Sequence, residues 1–428
     1  MDGLTIAVIG AGSPYTPELI EGLAARQERL PVREVRLMDI DEQRLSVMAG
    51  FCRRFAHRLG LASVLTATTD RREALEGADF VVTQIRVGGN AARVRDEQIP
   101  LRYGLIGQET TGAGGMMKAF RTIPVMLEIA RDVERYSPGA WIINYTNPTG
   151  MVAEAVTRYT GARIAGLCSG GLFPAHWTAR ALGVDPSRVR YDYFGLSHMN
   201  FAYNLTVDGR PLTDEEFDRV AERVRTVDAD LIRQLRLLPS PYLQYYFHTG
   251  ARVAAMRAAR RTRGQEVLAL EKEIFAQLAD PACDTKPEAL KQRGGGGYSE
   301  VALGVIHALA TGTDTWAVVN VPNRGTVGFL PADAVIETAC LVGAGGIRPL
   351  ALGEVPAAVR GLVAAVKNYE QLAVEAAVTG DRRTALLALL AHPLVRDYDL
   401  ARPLLDDLLE ANRPFLPQFF GQGVAPWG

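Results

Sequence analysis

The feature that most restricts this chain is an apolar strand opening straight into a glycine turn and then a helix. Leu4–Ile9 is a run of the fully buried kind, followed at once by Gly10-Ala11-Gly12-Ser13-Pro14-Tyr15. Helical spacing of Leu19, Ile20, Leu23 and Ala24 then marks a helix within Thr16–Arg26. The pattern recurs: Val35–Met38 is a strand ending at Asp39, and Glu42 to about Leu59 reads as a long helix. Val64–Ala67, Asp79–Ile85, Trp141–Asn144 and Arg163–Leu167 read as further strands, with a helix over Ile123–Arg135. Short strands alternating with helices require right-handed crossovers, and therefore a parallel sheet covered on both faces.

After Cys168 the pattern changes. Tyr191–Asn200 and Phe201–Val207 are consecutive strand-like runs, and Asp208-Gly209 supplies a hairpin-turn signal. Gln265–Leu278 reads as a helix with Glu266, Glu271 and Glu273 on its exposed side. Trp316–Val321 and Val335–Leu341 look like strands, and helices dominate from Pro356 to Ala411. At 428 residues the chain has room for two or three units. The expected fold is α/β: an N-terminal Rossmann-like doubly wound parallel sheet over residues 1–169, then a C-terminal α+β domain over residues 170–428.

Charge narrows the partners. Lys and Arg total 47 against 48 Asp and Glu, so there is no basic field of the kind that nucleic acid or an anionic membrane surface needs. No apolar run approaches the roughly 18 residues of a membrane span. Met1-Asp2-Gly3-Leu4 lacks the charged region of a signal peptide, and four scattered cysteines make no disulfide framework. The expectation is a cytoplasmic protein with reduced thiols.

Gly10 and Gly12 suit a tight turn beneath a pyrophosphate at a helix N-terminus, although Tyr15 replaces the third glycine of the dinucleotide fingerprint. Asp39, at the end of the second strand, can accept from a ribose 2′-hydroxyl while repelling a 2′-phosphate, which favours NAD over NADP. Cys168 ends the sixth strand, at the carboxyl edge where such sheets bind ligands. His198 follows 30 residues later, a spacing that is no metal motif, so a buried thiol and a structural histidine remain open. His176 and His248 read as surface or helix residues, and Tyr242, Tyr245 and Tyr246 as packing aromatics. Arg86, Arg93, Arg95 and Arg102 fit a solvated face, whereas Arg293, before Gly294–Gly297, suits a phosphate grip.

Taken in order, several motifs resemble the NAD- and metal-dependent glycosidases of glycoside hydrolase family four, in their 6-phospho-β-glucosidase branch. The resemblance rests on Val8-Ile9-Gly10-Ala11-Gly12-Ser13, Ile106-Gly107-Gln108-Glu109-Thr110-Thr111-Gly112 and Asn144-Tyr145-Thr146-Asn147-Pro148. It continues through Gly166-Leu167-Cys168, Gly195-Leu196-Ser197-His198, Pro241-Tyr242, Lys291-Gln292-Arg293-Gly294-Gly295 and Glu375-Ala376-Ala377-Val378-Thr379-Gly380-Asp381. The family is one of the exceptions to two-carboxylate glycoside hydrolysis.

The resemblance implies a mechanism in which NAD+ takes hydride from sugar carbon-3, so that the carbon-2 proton becomes acidic. β-Elimination of the glycosidic oxygen follows, then water addition and return of the hydride. It implies Mn2+ or another divalent metal held by Cys168 and His198, with Tyr242 as the base. It places Arg93, Arg293 and Ser13 at the sugar 6-phosphate, Asn147 between cofactor and substrate, and Glu109 beside metal-bound water at the substrate. A phosphorylated disaccharide or aryl glycoside is the implied substrate, and a homodimer or homotetramer the implied assembly, with the C-terminal domain carrying substrate, metal and subunit contacts.

Two departures bear on specificity. Cys168 is followed by Ser169-Gly170-Gly171 rather than Asn-Val-Pro, so Ser169 stands at the substrate where a longer side chain is expected. Asn320-Val321-Pro322-Asn323-Arg324-Gly325 keeps two asparagines but alters what lies between them and the glycine. Alternatives are therefore another sugar or anomer (6-phospho-α-glucoside, galactoside or a non-phosphorylated glycoside) or a plain NAD-dependent 2-hydroxy acid dehydrogenase.

Overall fold

The computed structural model describes residues 3–293 and 297–421. Gly294, Gly295 and Gly296, three of the glycines expected to support Arg293, lie outside the described residues. Strands β1 (Leu4–Ile9), β2 (Val32–Met38), β3 (Val64–Thr68), β4 (Phe80–Thr83), β5 (Trp141–Asn144) and β6 (Arg163–Gly166) form the parallel half of one sheet. Their spatial order, β3-β2-β1-β4-β5-β6, is that of a doubly wound dinucleotide-binding fold. Ile6, Ala7, Val8, Val81, Val82, Ile142 and Ile143 are fully buried, as strands covered on both faces require.

Local chemistry sets the helix ends. In the helix Glu42–Leu59 the Asp41 carboxylate accepts from the Arg44 N–H at 2.9 Å, and left-handed Gly60 terminates the last turn. The helix expected over Ile123–Arg135 is longer, Gly112–Tyr136, because Gly112 to Thr122 is buried on every side and lacks the polar face that marks an amphipathic helix.

The second half adds a smaller antiparallel sheet: β7 (Val189–Leu196), β8 (Met199–Val207), β9 (Arg210–Pro211) and β10 (Leu238–Pro239), with β8 at its centre. Asp208 and Gly209, both at positive φ, turn β8 into β9 as expected. The β7–β8 turn, however, is Ser197-His198, since Leu196 pairs with Met199. His198 is thus a turn residue at φ 66° rather than the end of a strand reaching Asn200. Neither turn position is glycine or proline, so no hairpin signal marks it.

The second half also extends the first sheet. Strands β11 (Thr315–Pro322), β12 (Val335–Gly343) and β13 (Gly346–Pro349) join antiparallel beyond β6, giving the order β13-β12-β11-β6 at that end. Strand β12 packs against β7, so the two sheets meet there. Among the described residues, no helix is long and apolar enough to cross a membrane.

Candidate active site

At the carboxyl ends of the parallel strands lies a cavity of about 990 Å³. Gly10, Gly12, Ser13, Asp39, Glu109, Arg93, Asn147, Cys168, Ser169, His198, Tyr242 and Arg293 all line it, so one space gathers every site residue named from the sequence.

At one end is the loop after β1. The N–H groups of Gly10 and Ala11 donate to the Met38 carbonyl at 2.9 and 2.8 Å, which pins the loop to β2. Gly10 has φ 88°, and a side chain there would stand 3.0 Å from the Gln84 carbonyl group, so both conformation and space demand glycine. Asp39 accepts from the Gly12 N–H at 2.8 Å and the Asp41 N–H at 3.1 Å. Its carboxylate therefore shapes the loop while facing the cavity.

The middle of the cavity is charged. Among the described residues seven cationic side chains line it against four carboxylates, an excess that suits anionic ligands. Glu109 accepts from Lys118 Nζ at 2.7 Å, pairs with Arg93 at 2.9 Å, and also accepts from Arg86. Burial raises its carboxyl, but Arg86, Lys118 and Arg93 outweigh burial and hold it well below the ordinary carboxylate range. Burial, with Arg86 adding repulsion, pushes the Lys118 ammonium down to about 7. Arg93 also donates to Glu97 at 2.8 Å, and Glu97 accepts from the Gly264 N–H at 2.6 Å, which ties the arginine to the start of the helix Arg263–Leu278. Arg293 donates to Glu271 at 3.1 Å and lies over the Tyr15 ring at 4.3 Å.

Glu271 corrects an expectation. It is buried between Arg293 and Arg44 rather than solvent-exposed, because its helix packs against neighbours on more than one face. Arg86 likewise belongs to the cavity, where it stands with Arg93, and not to a solvated face. Arg44, Lys118 and Glu271 were not singled out as site residues by sequence reasoning. Their roles follow from tertiary neighbours, and nothing local marks them.

Cys168 and His198 line the same cavity, with Lys118 and Glu109 near enough to His198 to act on its charge. Cys168 is 8 % exposed, and its sulfur accepts from the Gly170 N–H at 3.4 Å. Burial, and to a lesser degree Glu337, pushes its thiol up. Burial, with Lys118 nearby, pushes the His198 imidazole down to about 4, so it is neutral at neutral pH. The Tyr242 ring stacks on His198 with centroids 3.9 Å apart, and desolvation, then Cys168, raises its hydroxyl. Ser169 and Gly170 face the cavity, whereas Gly171 backs onto β11, where a side chain would come within 2.6 Å of Val318.

A neutral imidazole and a thiol with one long hydrogen bond are a suitable nitrogen–sulfur pair for a divalent metal. Among the described residues no cluster of three or more His, Cys, Asp or Glu could hold an ion unaided. Oxygens of water or of a bound ligand would complete the shell.

Comparison with known proteins agrees in both halves. The family 4 glycosyl hydrolase model matches residues 5–182, and the family 4 glycosyl hydrolase C-terminal domain model matches residues 193–395. A probable 6-phospho-beta-glucosidase of Bacillus subtilis is 41% identical, across 98% of this chain and 99% of its own. A 6-phospho-beta glucosidase from Thermotoga maritima, solved with manganese, NAD+ and glucose-6-phosphate, superposes with a TM-score of 0.89 at 34% identity, covering 96% of this chain and 99% of its own. A 6-phospho-alpha-glucosidase from gut microorganisms, solved with NAD and glucose-6-phosphate, gives a TM-score of 0.90 at 31% identity, covering 97% and 100%. With both halves of the sequence matched and the fold shared end to end, the chain belongs to the family 4 glycosyl hydrolases.

Proposed function

We propose that this chain hydrolyses 6-phospho-β-glucosides with NAD and Mn2+ as cofactors. The observation that carries the reading is one cavity that joins a dinucleotide loop, a cationic wall and the Cys168–His198 pair. The relatives support the same substrate class, since two at 39–41% identity are named for 6-phospho-beta-glucosidase activity.

NAD+ supplies reversible hydride acceptance, and the divalent metal supplies Lewis-acid stabilisation of negative charge on the sugar. The chain's own residues do the rest. Asp39 and the Gly10–Ser13 loop hold the nucleotide, and Asn147 orients cofactor and sugar. Arg93 and Arg293 take the 6-phosphate; both arrive already held by carboxylates, which fixes their geometry before the ligand binds. Cys168 and His198 hold the metal. Tyr242 receives the carbon-2 proton, a task for which its raised hydroxyl needs a nearby positive charge. Glu109 stays ionised and sets the charge of the wall. Phosphorylated sugars and a recycled nucleotide locate the work in the cytoplasm, and the enzyme acts as a homodimer or homotetramer.

The test is a panel of aryl glycosides, α and β, gluco and galacto, with and without the 6-phosphate. Hydrolysis of the β-gluco 6-phosphate should require NAD+, Mn2+ and a reductant, and leave no net NADH. Net NADH accumulation without glycoside cleavage would instead identify a dehydrogenase, and turnover indifferent to chelator would remove the metal role.

A further inference from the structure

Cys168 and His198 stand on different sheets: Cys168 just beyond β6 of the large sheet, His198 in the β7–β8 turn of the small one. Something must fix one against the other, and two of the hydrogen bonds that tie their backbones lead to a single side chain of β12. Glu337 is fully buried. One of its carboxyl oxygens accepts from Asn200 Nδ2 at 2.6 Å and the other from Asn320 Nδ2 at 3.3 Å.

Each asparagine leads to one half of the metal pair. The Asn320 amide also donates to the Gly166 carbonyl at 3.2 Å, two residues before Cys168. The Asn200 amide also reaches the Leu196 carbonyl at 3.3 Å, closing the turn that carries His198. The Asn200 carbonyl accepts from the Ser240 N–H at 2.9 Å, at the start of the Ser240–Leu243 turn that presents Tyr242. Next along β12, Thr338 donates to the Tyr193 carbonyl of β7 at 2.9 Å.

Neutralising a positive charge does not account for Glu337. Its two side-chain partners are amides, and among the described residues no ion pair reaches it. A carboxyl group kept in the interior without a cation costs free energy that an apolar side chain of similar volume would avoid. What it offers is two acceptor oxygens set between two amides on separate sheets.

We propose that Glu337, acting through Asn200 and Asn320, is a positioning residue that sets the separation of Cys168 and His198 and thereby the affinity for the divalent metal. The inference rests on the metal reading above. Glu337 does not touch the metal; it fixes the backbones that carry the ligands.

The test titrates Mn2+ into NAD+-loaded protein without substrate, following free Mn2+ by electron paramagnetic resonance. Nucleotide affinity is measured on the same samples. Glu337→Gln keeps the shape but offers one acceptor oxygen, so it holds one asparagine amide and leaves the other facing its own N–H2 group. It should weaken Mn2+ less than Glu337→Leu does, by about 3- to 10-fold. Glu337→Leu, which strands both amides, and Asn320→Ala, which removes the side-chain bond to Gly166 while leaving the β11–β6 pairing, should each weaken Mn2+ by about 10- to 100-fold. NAD+ affinity should stay within about twofold in both. If Glu337→Leu fails to fold, Asn320→Ala alone decides between the outcomes.

Wild-type Mn2+ affinity in the folded variants overturns the proposal. So does a parallel fall in NAD+ affinity, which would mean general loosening, and so does a Glu337→Gln variant as weak as Glu337→Leu. A wild-type protein that binds no Mn2+ overturns the metal reading, and the proposal with it.

Discussion

On the proposed function the Asp39 carboxylate both shapes the glycine loop and meets the nucleotide ribose, and replacing it with asparagine tests the two together. Its oxygens accept the Gly12 N–H at 2.8 Å and the Asp41 N–H at 3.1 Å. In Asp39→Asn the side chain keeps its shape but offers one acceptor, so a donor is left facing a donor at one of the two amides. In the free protein the loop can tilt and give the stranded N–H to water in the cavity. Bound nucleotide closes that escape. The penalty for an unpaired buried N–H, about 1–3 kcal/mol, then appears as lost affinity rather than lost stability. Weakening of the charge-assisted bond to the ribose hydroxyl adds to it. At about 1.4 kcal/mol per tenfold, NAD+ should bind roughly 10- to 100-fold more weakly. NADP+ should lose less, because the variant no longer repels a 2′-phosphate, so the preference for NAD+ should shrink at least tenfold. Calorimetric titration of both nucleotides reads both effects. NAD+ affinity within about twofold of the wild type would refute the reasoning, as would an unchanged ratio between the nucleotides.

Two further outcomes are expected. Tyr242→Phe keeps the ring stacked on His198 but removes the hydroxyl, so kcat should fall by about 100-fold or more while Mn2+ and NAD+ affinities hold; near-normal kcat would remove Tyr242 from the chemistry. Lys118 is charged below about pH 7 and loses its proton above it, so KM for a 6-phosphorylated substrate should climb as pH rises through 7. Glu109, held low, and His198, at about 4, do not titrate in that window. Lys118→Met should flatten the climb, and a profile identical to the wild type would refute the assignment. The sign for stability is opposite. Between about pH 7 and 10.5 the unfolded chain keeps the Lys118 proton that the folded chain has lost, so this lysine's contribution to stability rises with pH.

Much of the parallel sheet was legible because its signal is local. Glu42–Leu59 and Trp141–Asn144 occur at the expected residues, and β1 fills its expected span. Period and glycine placement suffice there, since each strand is a short apolar run bounded by a turn. The His198 turn is not legible because Ser197-His198 carries neither glycine nor proline to mark it, while Leu196, Met199 and Phe201 supply apolar residues on both sides. Glu271 was misplaced because helical spacing assumes one dry face, whereas its helix lies between the arginines of two others. The charge on Lys118 depends on its burial beside Arg86, and the bracing by Glu337 on a neighbour far away in sequence: Glu337 meets Asn200 across 137 residues. No window along the chain contains that information.

The place of β11 in the sheet also dictates an order of assembly. Asn320 pairs with Gly166 across 154 residues, so β6 stays an unpaired edge until the strand that covers it has been synthesised. An uncovered edge next to finished parallel strands invites pairing with another nascent chain. The residues assigned to the nucleotide, Gly10 to Asn147, all precede β6 in the chain. The metal corner needs β12 as well, so the ribosome delivers the nucleotide's residues long before it delivers the brace of the metal corner.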